Sequence, residues 1–148
     1  MSTSAGPELR LTVQDACGNR PLPCRATLRR WVRAALRKRA HVTLRFVGRA
    51  EGRRLNRSFR GRDYATNVLT FAYPEHTPLQ GDIVLCLPVL QREAAAGGLP
   101  FYQHFAHLVV HGTLHMQGHD HENARDARRM ENLERRILRS LGYADPYA

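Results

Sequence analysis

Residues 100–118, with the sequence PFYQHFAHLVVHGTLHMQG, predict the central helix of the fold. Pro100 suits the first turn of a helix and Gly118 suits its end. Between them are four histidines spaced three, four and four residues apart, a pattern that places them along one helical face: His104, His107, His111 and His115. Four histidines on one face of an otherwise apolar helix are rarely needed for packing, so the pattern indicates a functional site.

The end of this helix and the residues after it predict a metal site. His111, His115, Gly118 and His121 form the pattern H-x-x-x-H-x-x-G-x-x-H, the zinc-binding frame of the metzincin proteases. His111 and His115 lie one turn apart and can reach one ion, and a sharp turn at Gly118 returns His121 as the third ligand. Three nitrogens leave a fourth tetrahedral position for water, as in catalytic zinc sites, so we expect one zinc per chain. The alternative is a set of surface or core histidines in a histidine-rich helix.

Several neighbours of the predicted ligands have more than one interpretation. Asp120 is a candidate catalytic residue that either orients a ligand through its carboxylate or acts as a base. It also suits the cap of the last helix. His107 either supports His111 from one turn away or is a packed neutral histidine, and we expect His119 to point away from the metal.

Positive charge is concentrated in the first part of the chain. The net charge is +10. Residues 1–62 contain sixteen basic and three acidic side chains, for a charge of +13, whereas residues 63–148 carry −3. This asymmetry favours a polyanionic partner bound in a salt-dependent way. The alternative is a solvated surface that only keeps the protein in solution.

Length and composition narrow the class of protein. A chain of 148 residues predicts one domain over residues 1–148, large enough to bury a core. No apolar run reaches the 18 residues of a membrane span, and the N-terminus lacks the apolar segment of a signal peptide. The three cysteines are odd in number and form no C-x-x-C pair, so a reducing cytoplasm is the expected location.

The hydrophobic pattern predicts an α+β fold. Period-two alternation and turn residues indicate strands, and apolar residues at helical spacing indicate helices. The turn between the last two strands is predicted at TPLQGD, residues 77–82. Strands are predicted over 8–15, 41–48, 66–74 and 81–88, and helices over 24–39, 49–61, 87–98, 100–118 and 122–142.

Four sequence blocks resemble one family. HGTLHMQGHDH, residues 111–121, resembles the H-G-x-L-H-x-x-G-[YH]-D-H signature of the YbeY family, bacterial metal-dependent endoribonucleases that act in rRNA maturation. LNRSFRGRDYATNVLTFAYPE (55–75), GDIVLCLPV (81–89) and FAHLVVHG (105–112) resemble further blocks of that family in the same order. The resemblance extends from about residue 42 to 142 and holds only in pattern over the first 40 residues.

The resemblance implies a fold, a cofactor and a substrate. The fold is a small mixed sheet of about four strands surrounded by helices. One zinc ion is held by His111, His115 and His121, and the family's arginine before glycine corresponds to Arg60, a residue implicated in RNA processing. The implied substrate is single-stranded rRNA, notably the 3′ end of 16S rRNA. The implied partners are ribosomal subunits and ribosome-associated proteins, with a further role in ribosome quality control.

Three functions compete at this point. The first is a metal-dependent endoribonuclease. Gly112 stands where the metzincins have their glutamate base, and an endoribonuclease tolerates this loss because RNA supplies its own nucleophile, the 2′-OH. A metal together with Arg60 neutralises the negative charge that builds on the phosphate. Gly112 also suggests space for a phosphate above the metal. A metalloprotease needs that glutamate as its base. A non-enzymatic maturation factor with structural zinc needs a fourth protein ligand, for which His119 and Asp120 are the nearby candidates.

Overall fold

The computed structural model describes residues 6–18, 20–119 and 123–147, which form four strands and five helices. The predicted α+β fold is confirmed. The strands are β1 (Leu9–Asp15), β2 (Ala40–Val47), β3 (Val68–Tyr73) and β4 (Leu79–Cys86). The helices are α1 (Arg25–Ala35), α2 (Arg49–Arg60), α3 (Leu87–Gly97), α4 (Phe101–Met116) and α5 (Ala124–Ser140).

The strands form one mixed sheet in the order β1-β2-β4-β3. β1, β2 and β4 are parallel, and β3 runs antiparallel to β4 as the predicted hairpin. β1 and β3 are therefore the edge strands. Arg25 and Arg29 of α1 donate hydrogen bonds to the carbonyl oxygens of Leu11 and Leu9, which occupies part of the β1 edge.

The main core lies between one face of the sheet and helices α1 and α4. Trp31 of α1 and Phe105 of α4 are fully buried there, with their ring centroids 5.8 Å apart. α5 packs on α4 through the apolar stripe of Met130, Ile137 and Leu138. None of the helices in the described ranges combines the length and apolar character that a membrane crossing requires.

Two glycines let α4 lie close to the sheet. A Cβ on Gly112 would be 2.8 Å from Cγ2 of Ile83 on β4, and a Cβ on Gly81 would overlap Sδ of Met116 at 2.1 Å. The structure does not support the hypothesis that Gly112 clears space for a phosphate, because its open side faces Ile83. Gly112 instead sets how closely the histidine-bearing helix approaches β4.

α2 lies on the opposite face of the sheet. Its Phe59 ring packs edge-on against Phe71 of β3, with centroids 5.0 Å apart. The preceding strand residue, Thr70, has its Oγ1 3.4 Å from the position of a Cβ on Gly112 of α4. Because successive side chains of a strand point to opposite faces, β3 separates the end of α2 from α4.

α1 is shorter than the predicted helix over 24–39. It ends at Ala35, and Leu36 has an extended backbone. The side-chain amide of Gln117, just after α4, donates to the carbonyl oxygen of Ala35 at 2.9 Å and accepts from the backbone N–H of Arg37 at 2.6 Å. In a longer helix, the carbonyl oxygen of Ala35 and the N–H of Arg37 would have formed hydrogen bonds within the helix, and Gln117 satisfies both groups instead.

Candidate metal centre and active site

The four histidines of α4 form one partly exposed stripe, and the prediction of a single face is confirmed. His104, His107, His111 and His115 are each half-buried on a helix whose other residues from 105 to 116 are fully buried. Adjacent rings along the stripe have centroids 6.4, 6.4 and 6.3 Å apart. The sheet and α1 take up the other faces of the helix over residues 105–116, so the histidines are the part of this stretch that can meet a ligand.

The ring of His111 is oriented by a carboxylate on the neighbouring helix α5. Its Nδ1 lies 2.8 Å from Oε2 of Glu134. An ionised carboxylate only accepts hydrogen bonds, so Nδ1 of His111 carries a proton, and in the neutral ring Nε2 carries the lone pair. A histidine that binds a metal through one nitrogen commonly donates from the other to a carboxylate or a carbonyl.

His115 adopts the same tautomer through a different acceptor. Its Nδ1 donates to the carbonyl oxygen of His119 at 2.8 Å. That carbonyl is brought back towards α4 by a turn at Gly118, whose φ of +100° lies in the left-handed region that favours glycine. The N–H of His119 closes the turn by donating to the carbonyl oxygen of Leu114 at 3.2 Å. Both candidate ligands therefore fit a metal in their donor chemistry.

Glu134 was missed by sequence reasoning. It is fully buried, and its Oε1 accepts from Nε2 of His107 at 2.7 Å and from the hydroxyl of Tyr147 at 2.5 Å. Burial alone raises the pKa of Glu134, but hydrogen bonds from His107 and His111, the electrostatic attraction of the His111 ring and the hydrogen bond from Tyr147 outweigh it and lower the pKa to about 2. The available signal was an acid between Met130 and Ile137 on the apolar stripe of α5.

Two predicted site residues, Asp120 and His121, lie outside the described residues. Across residues 6–18, 20–119 and 123–147, no group of three histidine, cysteine or acidic side chains is arranged to hold a metal. His121 as the third ligand therefore stays a prediction. The capping role considered for Asp120 belongs to Asn123, whose side-chain oxygen accepts from the N–H of Asp126 at 2.8 Å.

Arg60 lies across the edge strand from the histidines. It is the exposed last residue of α2, followed by Gly61 in the left-handed conformation that ends the helix. Its neighbour Phe59 packs on the face of β3 that points away from α4. The end of α2 and the histidine stripe of α4 are therefore on opposite faces of the sheet, at the edge that β3 forms.

Two other histidines have structural partners. Nε2 of His104 lies 2.9 Å from Oε1 of Glu93 on α3, and the same carboxylate accepts from the side-chain amide of Asn67. Burial lowers the pKa of His119, and the charges of Arg37 and Arg129 lower it further. The backbone carbonyl oxygen of His119 is the hydrogen-bond acceptor for Nδ1 of His115.

Comparison with known proteins agrees with the motifs. The family model described as Endoribonuclease YbeY matches residues 22–142. An Endoribonuclease YbeY from Aromatoleum aromaticum is 59% identical over 148 residues, covering 98% of this chain and 96% of the relative. One from Methylibium petroleiphilum is 52% identical over 150 residues and covers 100% of both chains.

A solved structure supports the fold. The solution structure of TM1509 from Thermotoga maritima matches with a TM-score of 0.59 and 24% identity, covering 93% of this chain and 97% of that one. At this identity the likeness concerns the fold alone. The family model and the curated relatives show more: this chain belongs to the YbeY family of endoribonucleases.

Proposed function

We propose that the protein is a single-strand-specific, zinc-dependent endoribonuclease that matures the 3′ end of 16S rRNA in the cytoplasm and acts in ribosome quality control. Membership of an endoribonuclease family supports cleavage of RNA. The zinc dependence rests on one observation: His111 and His115 both donate through Nδ1 to an oxygen, at 2.8 Å in each case. That tautomer puts the lone pair on Nε2, as a metal ligand requires.

In this proposal His111, His115 and His121 hold one zinc ion per chain. Zinc, when bound at such a site, acts as a Lewis acid towards a phosphoryl oxygen and makes water acidic near neutral pH. The residues of the chain orient the ligands: Glu134 holds the ring of His111, and the carbonyl oxygen of His119 holds the ring of His115. Asp120 either orients a ligand or acts as the base.

Arg60 is proposed to bind the scissile phosphate. Its planar guanidinium donates two parallel hydrogen bonds to non-bridging oxygens, whose charge grows as the phosphodiester bond breaks. Arg60 is exposed, so this contact costs little desolvation before RNA binds. The RNA then runs over the edge of β3, with Arg60 on one side and the histidine stripe on the other.

The exposed arginines in the last turn of α2 are proposed to bind the RNA backbone. This helix carries five arginines and one glutamate. Part of the chain's positive charge is used internally, because Arg45 pairs with Glu51 at 2.7 Å and Arg53 pairs with Asp63 at 2.8 Å. Arg57 and Arg60 are in the last turn of α2, beside the proposed RNA path. In this proposal the RNA that they contact is single-stranded rRNA on a ribosomal subunit.

A metalloprotease is disfavoured by the packing of α4. The metzincin base would occupy position 112, where a glycine packs against Ile83 and even a Cβ would be 2.8 Å from that side chain. A glutamate at this position would meet the core of the protein. The alternative of a non-enzymatic maturation factor is decided by measuring cleavage directly.

The test combines metal analysis with single-turnover cleavage of a single-stranded RNA. We expect about one zinc per chain, cleavage that is lost after chelation, and recovery when zinc is returned. The same RNA annealed to its complement is the matched control and is expected to resist cleavage. Full cleavage by metal-free protein would contradict the zinc dependence. Stoichiometric zinc without cleavage would instead favour the maturation factor with structural zinc.

A further inference from the structure

We propose that Glu134 is a positioning residue of the metal centre, which holds the ring of His111 ready for the metal and is itself held by His107 and Tyr147. The inference rests on the proposed function, because it requires a metal at His111. It extends the site from α4 to α5 and to the segment after α5.

The burial of Glu134 argues for a specific role. The side chain is fully buried on the apolar stripe of α5, where a leucine or methionine would pack without a charge. Burying a carboxylate is costly unless hydrogen bonds compensate for the lost water. Both oxygens of Glu134 are used: Oε2 accepts from His111, and Oε1 accepts from His107 and Tyr147. All of these donors converge on the carboxylate beside the predicted ligand His111.

The same contacts assign His107. Its Nε2 donates to Glu134, and its ring packs edge-on against the ring of Tyr147 with centroids 5.4 Å apart. His107 therefore supports Glu134 from the turn before His111, and the ring nitrogen that faces α5 is engaged with the carboxylate. This favours the supporting interpretation of His107 over that of a packed histidine without a role.

Tyr147 is held in place by its own neighbours. The guanidinium carbon of Arg135 lies 5.2 Å from the centre of the Tyr147 ring. Asp145 accepts from the N–H of Tyr147 at 2.8 Å and from Nε of Arg135 at 3.2 Å. The Tyr147 hydroxyl is thus directed at Glu134 by a folded turn, and the segment after α5 reaches the predicted metal centre through Glu134 and His107.

The chain contains a matched control for this pair. Glu93 meets His104 at 2.9 Å, so the same residue types form the same contact on the same helical stripe. His104 is outside the metal-binding pattern, and Glu93 is more exposed than Glu134. If the Glu134 variant binds metal more weakly and the Glu93 variant does not, the effect is specific to the contact of Glu134 with His111. It is not a general result of losing a glutamate–histidine contact on α4.

The experiment measures zinc affinity by competition with a chromophoric chelator. In Glu134→Gln the amide keeps the volume of the side chain, but its nitrogen cannot accept a hydrogen bond. The hydrogen bonds that one of the two carboxylate oxygens accepts in the wild type are therefore lost. Loss of such an orienting carboxylate typically weakens metal binding about 10–100-fold, and we expect that range. We expect a smaller loss for Tyr147→Phe and no change for Glu93→Gln. RNA cleavage by Glu134→Gln should recover at saturating zinc.

The outcomes separate this inference from the proposed function. Wild-type protein that binds no zinc would overturn the proposed metal dependence. Tight zinc binding by the wild type together with unchanged affinity in Glu134→Gln would overturn the inference alone. A merely structural role predicts a lower melting temperature of the metal-free variant with wild-type zinc affinity. If Glu134→Gln does not fold, Tyr147→Phe decides: weakened zinc binding supports the inference and wild-type binding overturns it.

Discussion

The two faces of the sheet hold their candidate functional groups in different ways. On the α4 face, His111 and His115 are half-buried and each donates to a defined oxygen at 2.8 Å. On the α2 face, Arg57 and Arg60 are exposed at the end of a helix. Groups that are fixed by hydrogen bonds act through geometry, so losing one has a large and local effect. Exposed charges act by their sum, so the loss of one that only binds the backbone has a small, salt-dependent effect.

The largest expected effect is on the α4 face. His115→Ala leaves two predicted histidine ligands, which do not hold zinc tightly, so stoichiometric zinc should be lost. Metal analysis of the purified variant measures this directly. His104→Ala is the matched control, because His104 belongs to the same stripe but pairs with Glu93 and should leave zinc content unchanged. Full zinc content in His115→Ala would show that the ligand assignment is wrong.

Arg60 tests whether the two faces act on one substrate. If its guanidinium donates to the phosphate in the transition state, Arg60→Ala should slow single-turnover cleavage by roughly 10²–10³-fold. Arg60→Lys should recover only part of the rate, since lysine keeps the charge but not the two-pronged hydrogen bonding. Zinc content and melting temperature should match the wild type, because Arg60 is an exposed residue at the end of α2 and the predicted ligands are on α4 and the turn after it.

Arg54→Ala is the control for Arg60, since it removes the same charge from an exposed position on the same helix. A wild-type rate in Arg60→Ala would remove Arg60 from the mechanism. A rate lost together with zinc or with thermal stability would give Arg60 a structural role and would contradict the separation of the two faces.

The contrast between the faces also shows what the sequence could predict. The histidine stripe was predictable, because spacings of three and four residues define a helical face without reference to the rest of the fold. Glu134 was not identified, because its partners His107 and His111 are 27 and 23 residues away in sequence. Only the packing of α5 on α4 brings them together, although an acid on an apolar stripe is a usable sign of such a contact.

Tertiary pairing also changed one local prediction and located the end of α2. TPLQGD was predicted as a turn from its proline and glycine, but β4 begins at Leu79, which is buried and lies opposite Ala40 of β2. The turn of the hairpin is therefore residues 74–78. Arg60 ends a helix just before the TNV segment in sequence, which favoured a role for Arg60 in the site. The alternation of side chains along β3 puts the end of α2 on the other face of the sheet from α4, and the role of Arg60 in the site stays a prediction.

A moderate effect is expected where α4 approaches the sheet. In Gly112→Ala the new Cβ would be 2.8 Å from Cγ2 of Ile83. Overpacking of this kind costs about 1–3 kcal/mol, and the better helix propensity of alanine offsets about 1 kcal/mol of that cost. Denaturant unfolding of the metal-free protein should therefore show a net loss of up to about 2 kcal/mol.

Gly97→Ala is the control for this packing effect. A Cβ at Gly97 meets Leu99 at 3.6 Å, an ordinary contact, so this variant should be as stable as the wild type or slightly more stable. Equal or higher stability in Gly112→Ala would mean that α4 can move away from Ile83 at little cost. The close approach would then be a consequence of the fold rather than a condition for it.

The smallest expected effect belongs to a single exposed arginine of the α2 face. Each phosphate contact on single-stranded RNA contributes about −0.7 to the slope of log K against log salt, so Arg57→Gln should reduce the magnitude of the slope by about 0.7. Titrations of the same RNA at several salt concentrations measure it. Arg30→Gln is the control, because it removes the same charge from α1, which lies against β1 at the other edge of the sheet. An equal change in both variants would show that total charge, rather than contact at the end of α2, determines the salt dependence. A slope near zero for the wild-type protein would contradict RNA binding by the basic part of the chain, because that part would then not face the RNA.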